Sequence, residues 1–245
     1  MDQPFHSRRN RLLELLPAND FDRLRPYLHD VSLDYKFELY RAGKPIPFVY
    51  FPVTGVASIV NTMMDGSAAE VGTVGNEGMV GLPIILGDTV APNDVYVQVP
   101  GTGLRMAANE FREAFEGSGT MRTVMLHYVH ALFNQIAQSA ACNSFHTVEQ
   151  RCCRWLLMTH DRALSDHFTL TQEFLGMMLG VRRTSITLTA TQLKRQKLIK
   201  YSRGHVTVLD RPGLERRSCE CYAVSKREFD RLLGPPHGVI AGAHG

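Results

Sequence analysis

Arg182 and Arg183 lead into five hydroxyl side chains, Thr184, Ser185, Thr187, Thr189 and Thr191, packed into eight positions. Guanidinium groups grip phosphates and the guanine edge in bidentate fashion, and short hydroxyls bond phosphates or base edges while letting a backbone come close. Ser and Thr are mediocre helix formers. Their concentration in LGVRRTSITLTATQLKRQKLI, Leu179 to Ile199, therefore reads as surface chemistry rather than helix stabilisation. A helical Thr can also bond the carbonyl a turn back, but that explains neither the two arginines nor the basic stretch KYSRGHVTVLD behind them.

Other reactive groups are less telling. Five cysteines (Cys142, Cys152, Cys153, Cys219 and Cys221) are odd in number and suit free thiols in a reducing compartment. Cys152-Cys153 and Cys219-Glu220-Cys221 lack metal-ligand spacing, so packed thiols are expected, with no metal and no cofactor. His127 and His130 stand three apart on a helical stretch, where a histidine is more often packed or solvated than ligating. With no nucleophile elbow, Walker loop or zinc-hydrolase pair, an enzyme is not expected.

Charge is polarised along the chain. From Ala42 to Leu104 one basic residue faces five acidic ones, a net of −4, whereas Gly180 to Arg217 holds ten basic and two acidic residues, a net of +8. A basic C-terminal third beside an acidic N-terminal half fits a nucleic-acid-binding domain joined to a different one. No run approaches the ~18 apolar residues of a membrane span and the N-terminus lacks a secretory core, so a cytoplasmic protein without a membrane partner is expected.

The elements that must carry these groups follow from periodicity. Residues 8–29 read as two short amphipathic helices broken around Pro17, with Leu12, Leu13, Leu16, Phe21, Leu24 and Leu28 inward. From Val31 to Ala107, short β-rich runs punctuated by Gly and Pro predict a sandwich or barrel. A long proline-free helix follows, with Met121, Met125, Tyr128, Leu132, Gln135, Ser139 and Cys142 on one face and Val124, Phe133, Ile136 and Ala140 on another. Two apolar faces call for two neighbours, the chain's own β domain and a second copy; a single long core helix is the alternative. Thr147 to Gln150 is a capping-box signature opening a helix to about Ala163, and His167 to Leu170 predicts a strand. In QEFLGMMLGVRRTSITLTATQL, Gly176 permits a close helix crossing, Gly180 a left-handed turn, and Leu175, Leu179, Val181, Ile186 and Leu193 a miniature core, the logic of a helix-turn-helix. A hairpin turning at Ser202 to Gly204 and a last helix from about Leu214 complete the pattern.

A β domain, a long helix, then QEFLGMMLGVRRTSITLTATQLKRQKLIKYSRGHVTVLD: this order resembles the Crp/Fnr family of bacterial transcription regulators over nearly the whole chain, the β half mainly in architecture and in VYFPVTGVASIV. The resemblance implies an α+β fold. Residues 1–117 would form a cyclic-nucleotide-binding-like β-barrel (jelly roll) with N-terminal helices, 118–146 a dimerisation helix carrying Met121, Met125, Tyr128, Leu132 and Gln135, 147–233 a winged helix-turn-helix, and 234–245 a flexible tail. It places Arg183, Thr184 and Leu188 toward bases and Thr171, Arg182 and Ser185 toward phosphates; Thr187 is expected beside the base-facing residues, and the hairpin's Arg203 and the Gly204 backbone can reach a phosphate. Thr184 stands where the cyclic-AMP receptor type commonly has an acid, and Leu188 where it has an arginine, so a different operator is expected.

The same comparison argues against a cyclic nucleotide. The cassette's turn survives at Gly78 and Gly81, but Leu82 and Pro83 follow it, the arginine position falls near Pro92 and Asn93, and no arginine occurs between Arg41 and Arg105. A buried cyclic phosphate needs such a charge. The cysteine cluster of the oxygen-sensing branch is missing too, the first cysteine being Cys142. The expected partners are double-stranded DNA, a second copy and RNA polymerase, with an unidentified effector at Gly78, Gly81, Leu82 and Asn93. A ligand sensor whose basic domain contacts protein or RNA is the alternative.

Overall fold

A computed structural model describes residues 10–234, so the tail expected beyond Gly234 lies outside the described residues. The described residues open with α1 (Arg11–Glu14) and α2 (Ala18–Leu24), whose Leu12, Leu13, Phe21 and Leu24 are buried as their spacing predicts. Then come β1 (His29–Leu33), β2 (Glu38–Tyr40), β3 (Phe48–Pro52), β4 (Val56–Thr62) and β5 (Ala68–Val74), the short helix α3 (Leu82–Ile85), and β6 (Asp94–Val99) and β7 (Gly101–Ala107). They form two antiparallel sheets, ordered β1-β7-β3 and β2-β6-β4-β5.

The second sheet is covered on both faces, which is why residues of both faces of its strands are buried. Along β4, Ala57 and Ile59 look into the barrel while Val56 and Val60 join a second core, and β6 divides likewise between Val95 and Val97 on one face and Val99 on the other. That second core belongs to the C-terminal half: α6 (Val148–Ala163), β8 (His167–Thr169), α7 (Gln172–Leu179), α8 (Arg183–Arg195), β9 (Ile199–Ser202) and β10 (His205–Val208). Between the halves run α4 (Ala108–Gly117) and α5 (Gly119–Phe145). No described helix is long and apolar enough to cross a membrane.

The face of α5 named for dimerisation needs correction. Met121, Met125, Tyr128, Leu132 and Gln135 are all buried against the chain's own barrel, where the Tyr128 hydroxyl donates to the Met79 carbonyl at 2.7 Å and Gln135 Nε2 to that of Thr73 at 3.1 Å. Met121, Met125, Tyr128 and Leu132 belong to the barrel's apolar core, which turns this face inward. Exposed instead are Leu126, Phe133 and Ala140, with Phe133 67% accessible.

The expected last helix is two helices, α9 (Arg211–Arg217) and α10 (Cys221–Leu233), separated at Ser218–Glu220. α10 leaves the winged unit and returns along α5: Phe229 and Leu233 enter the barrel core, and the Arg11 guanidinium donates to the Phe229 carbonyl and the Asp230 carboxylate.

Candidate nucleic-acid interface

The crossing of α7 and α8 rests on the two glycines singled out in the sequence. A Cβ on Gly176 would stand 3.0 Å from the Val181 carbonyl oxygen, and Gly180 closes α7 with φ 61° and ψ 38°, the left-handed conformation of a helix cap. Ile186, fully buried, and Leu193 pin α8 beneath. Arg151 of α6 donates to the Leu179 carbonyl at the end of α7, satisfying an orphan acceptor that neither glycine can. Thr147 and Gln150 exchange both bonds of the capping box that starts α6.

α8 turns its first two turns outward. Arg182, its N-cap, and Arg183, Thr184, Thr187 and Leu188 are exposed, Leu188 at 69%, while Ser185 is half-buried. An apolar side chain held in water at the centre of a basic face suits contact with a thymine methyl. Not every hydroxyl is surface chemistry, however. Thr189 is buried with Ile186, Ala190 and Leu193, because the 3.6-residue repeat carries position 189 to the inner face. Thr187 Oγ1 lies 2.8 Å from Gln172 Oε1 and 3.0 Å from the Arg183 carbonyl, and Thr191 Oγ1 donates to the Thr187 carbonyl. The Thr187 hydroxyl proton is thus held by the protein, leaving that oxygen as an acceptor and its methyl as an apolar contact.

The wing is set on the same side of the fold. β8, β10 and β9 form one antiparallel sheet in that order, and the β9–β10 turn places Arg203 at φ 47° and Gly204 at φ 78°. The Gly204 carbonyl accepts from the Leu170 amide at 2.7 Å, and the Tyr201 hydroxyl donates to the Leu170 carbonyl at 2.8 Å. These bonds fix the turn beside Thr171, whose Oγ1 caps α7 by accepting from the Phe174 amide while its proton stays available to a phosphate oxygen. Arg203 itself is exposed.

Gly78, Gly81, Leu82 and Asn93, expected to form an effector pocket, are engaged as follows. A Cβ on Gly78 would fall 2.4 Å from the Tyr128 ring and one on Gly81 2.6 Å from Val49, so both glycines serve packing. Leu82 begins α3, and Asn93 Nδ2 bonds Asn61 Oδ1 at 3.0 Å. The adjoining Glu77 is taken by Arg162 of α6, whose Nε lies 2.8 Å from Glu77 Oε1 and whose other nitrogens donate to Gln135 and the Met158 carbonyl. A cavity of about 690 Å³ does open nearby, between the barrel and α6, α9 and α10, with Glu77, Arg162, Arg211 and Tyr222 in its wall.

All five cysteines are free and buried, as packed thiols should be. Cys152 and Cys153 are buried as expected, and burial pushes the Cys153 thiol up to about 12 and that of Cys152 higher still. Cys219 and Cys221, however, meet Cys142 and His146, although 77 residues separate Cys142 from Cys219. The local signal was Cys142 and His146 four apart at the end of a helix, a spacing that faces one direction.

Two family models match the sequence, a cyclic nucleotide-binding domain over residues 37–118 and a Crp-like helix-turn-helix domain over residues 150–217. Among solved structures, the chain is similar to FixK2 from Bradyrhizobium japonicum, with a TM-score of 0.67 and 15% identity over 78% of this chain and 98% of that one. A putative transcriptional regulator of the crp/fnr family from Eubacterium rectale gives 0.65 and 15% over 84% and 96%. CLP of Xanthomonas campestris, described as a c-di-GMP responsive global regulator, gives 0.64 and 14% over 79% and 100%. Identities this low speak to fold alone. A search of curated protein sequences finds no match.

Proposed function

We propose that this chain, a member of the Crp/Fnr family of transcriptional regulators with a helix-turn-helix DNA-binding domain, reads a two-fold symmetric operator as a homodimer and takes no cyclic nucleotide at Gly78 and Gly81. The observation that carries the reading is the outward placement of Arg183, Thr184 and Leu188 on the leading turns of α8, flanked by Arg182, Ser185, Thr171 and the Arg203–Gly204 turn. Two copies related by a two-fold axis would set their α8 helices in successive major grooves about 34 Å apart.

Support for the dimer comes from α5, where Leu126, His130, Phe133, Ala137, Ala140 and Ser144 recur at alternating spacings of four and three on the exposed side. That period suits a coiled-coil seam. Support for the missing nucleotide site comes from the Tyr128 and Val49 side chains against Gly78 and Gly81, and from a sequence with no arginine between Arg41 and Arg105, the family's phosphate-binding arginine falling near Pro92 and Asn93. Calorimetry with cyclic AMP and cyclic GMP is expected to give no heat; micromolar binding abolished at Gly81 or Asn93 would reverse this part of the reading.

The test of direct readout is selection of duplexes from a random pool. Arg183→Ala is expected to cost about 1–3 kcal/mol and relax preference at one base position, and Arg203→Ala to weaken all sites alike and flatten the salt dependence by roughly one unit. Identical profiles for the two variants would defeat base reading by Arg183. Equal affinity for any polyanion would favour a sensor whose basic domain meets RNA or protein.

A further inference from the structure

Where α5 ends, four side chains meet that take no part in the DNA-facing surface. Cys142 lies in the last turn of α5 and His146 is its C-cap; Cys219 lies in the link after α9, and Cys221 begins α10. Their three Sγ atoms and one imidazole nitrogen all lie within 4.8 Å of one another. Cys142 Sγ is 3.5 Å from Cys219 Sγ, and His146 Nδ1 is 3.5 Å from Cys221 Sγ. A tetrahedral ion with metal–sulfur bonds of about 2.3 Å holds its sulfurs roughly 3.8 Å apart. The cluster has that size. An iron–sulfur cluster interposes its own sulfides and spreads its cysteines wider.

The surroundings suit a metal better than a packed core. The three cysteines form a buried group apart from both hydrophobic cores. His146 turns Nδ1 toward the sulfurs while its Nε2 stands 3.3 Å from Glu220 Oε1, the carboxylate–imidazole arrangement that fixes a ligating ring's tautomer and direction. Gln138 Nε2 donates to Cys221 Sγ at 3.0 Å. Arg154 and Arg151 are close enough to Cys142 to interact with its charge, and the buried Nε of each has no hydrogen-bond partner among the described residues. Three thiolates around a dication leave one surplus negative charge, and these guanidiniums are placed to offset it.

We propose that Cys142, His146, Cys219 and Cys221 bind one zinc ion in a closed, four-ligand structural site. Loading releases the three thiol protons and leaves His146 neutral, with Nδ1 on the metal. The ligands come from the two ends of one junction: α5 gives way to α6 at His146 and Thr147, and α9 gives way to α10 between Cys219 and Cys221. The ion therefore clamps the hinge between the barrel's long helix and the winged unit, and fixes the point from which α10 returns along α5.

The full chain, purified under reducing conditions without chelator, is expected to carry about one zinc per chain by elemental analysis. Cys219→Ser combined with Cys221→Ser should lower that to under about a tenth, and Cys152→Ala should leave it unchanged. Those variants could misfold, so wild-type protein stripped of metal and titrated with cobalt(II) provides a second reading: tetrahedral ligand-field bands in the red and a thiolate-to-cobalt band in the near ultraviolet, saturating at one equivalent. Folded wild-type protein holding no zinc and giving no such bands overturns the site, as does a Cys142–Cys219 disulfide in anaerobically prepared protein. One iron per chain in place of zinc overturns the assignment of the ion. Loss of the site with unchanged operator selection would leave DNA reading intact, so the two proposals fail separately.

Discussion

At the residue scale, the most telling group outside the DNA-facing surface is Glu70. Its carboxylate accepts from Trp155 Nε1 of α6 at 2.9 Å and from Ser58 Oγ at 2.7 Å, so it bonds the barrel to the C-terminal half. Burial raises its pKa to about 7, outweighing these hydrogen bonds and the charges of Arg154 and Arg162, which pull the other way. A carboxyl whose folded pKa lies above its unfolded value binds its proton more tightly in the folded state. Its stabilising contribution is complete below the unfolded value of about 4.3 and is lost as pH rises through the folded one. The expected loss is on the order of 2 kcal/mol, less than the full shift implies because the side chain is partly exposed. Trp155 is the chain's one tryptophan, so its fluorescence reports the bond directly. Emission should titrate with a midpoint near pH 7, and thermal stability should fall between about pH 4.3 and pH 7 and level off above it; in Glu70→Gln both changes should vanish. A midpoint unmoved by the substitution assigns the titration to another group.

At the scale of elements, the helix-turn-helix was legible because each of its constraints is local. Gly176, Gly180 and Ile186 lie within eleven positions: Gly176 answers the close approach of the Val181 carbonyl, Gly180 the left-handed turn, and Ile186 the buried seat beneath α8. Gly176→Val should lower stability by about 1–3 kcal/mol, since its branched side chain meets the Val181 carbonyl where even a Cβ is tight. Circular dichroism melts measure that cost, and DNA affinity should fall with it even though position 176 is buried. An unchanged melt would mean the crossing has room to spare. The Arg162–Glu77 pair was not legible, because a buried ion pair between residues 85 apart leaves no periodic trace. Arg162→Met strands the Glu77 carboxylate and should cost about 3–5 kcal/mol by chemical denaturation, whereas Arg162→Met with Glu77→Gln should recover part of it. Failure of the double variant to recover would show that the pair does not act as a unit.

At the scale of the whole molecule, what the sequence concealed is which surface meets which. Periodicity revealed two apolar faces on α5, but both read alike along the chain, and only the packing against the barrel, with Tyr128 and Gln135 bonded to the Met79 and Thr73 carbonyls, distinguishes the inward one. The return of α10 was hidden for the same reason: Phe229 and Leu233 pattern like any amphipathic helix, and nothing local says they belong to the N-terminal core. With the inner face of α5 filled by the barrel, the stripe through Leu126 and Phe133 is what a second copy can use. Phe133→Glu places a charge at the centre of that seam without touching the protein's own core. Sedimentation should then show a monomer with the wild-type fold. Affinity for a two-fold operator should drop about 10²–10⁴-fold, because the second half-site no longer binds intramolecularly. The slope of log K against log salt should fall to roughly half, since one copy displaces the counterions of half as many phosphates. A Phe133→Glu protein that stays dimeric and keeps its slope would place the two-fold axis on another surface.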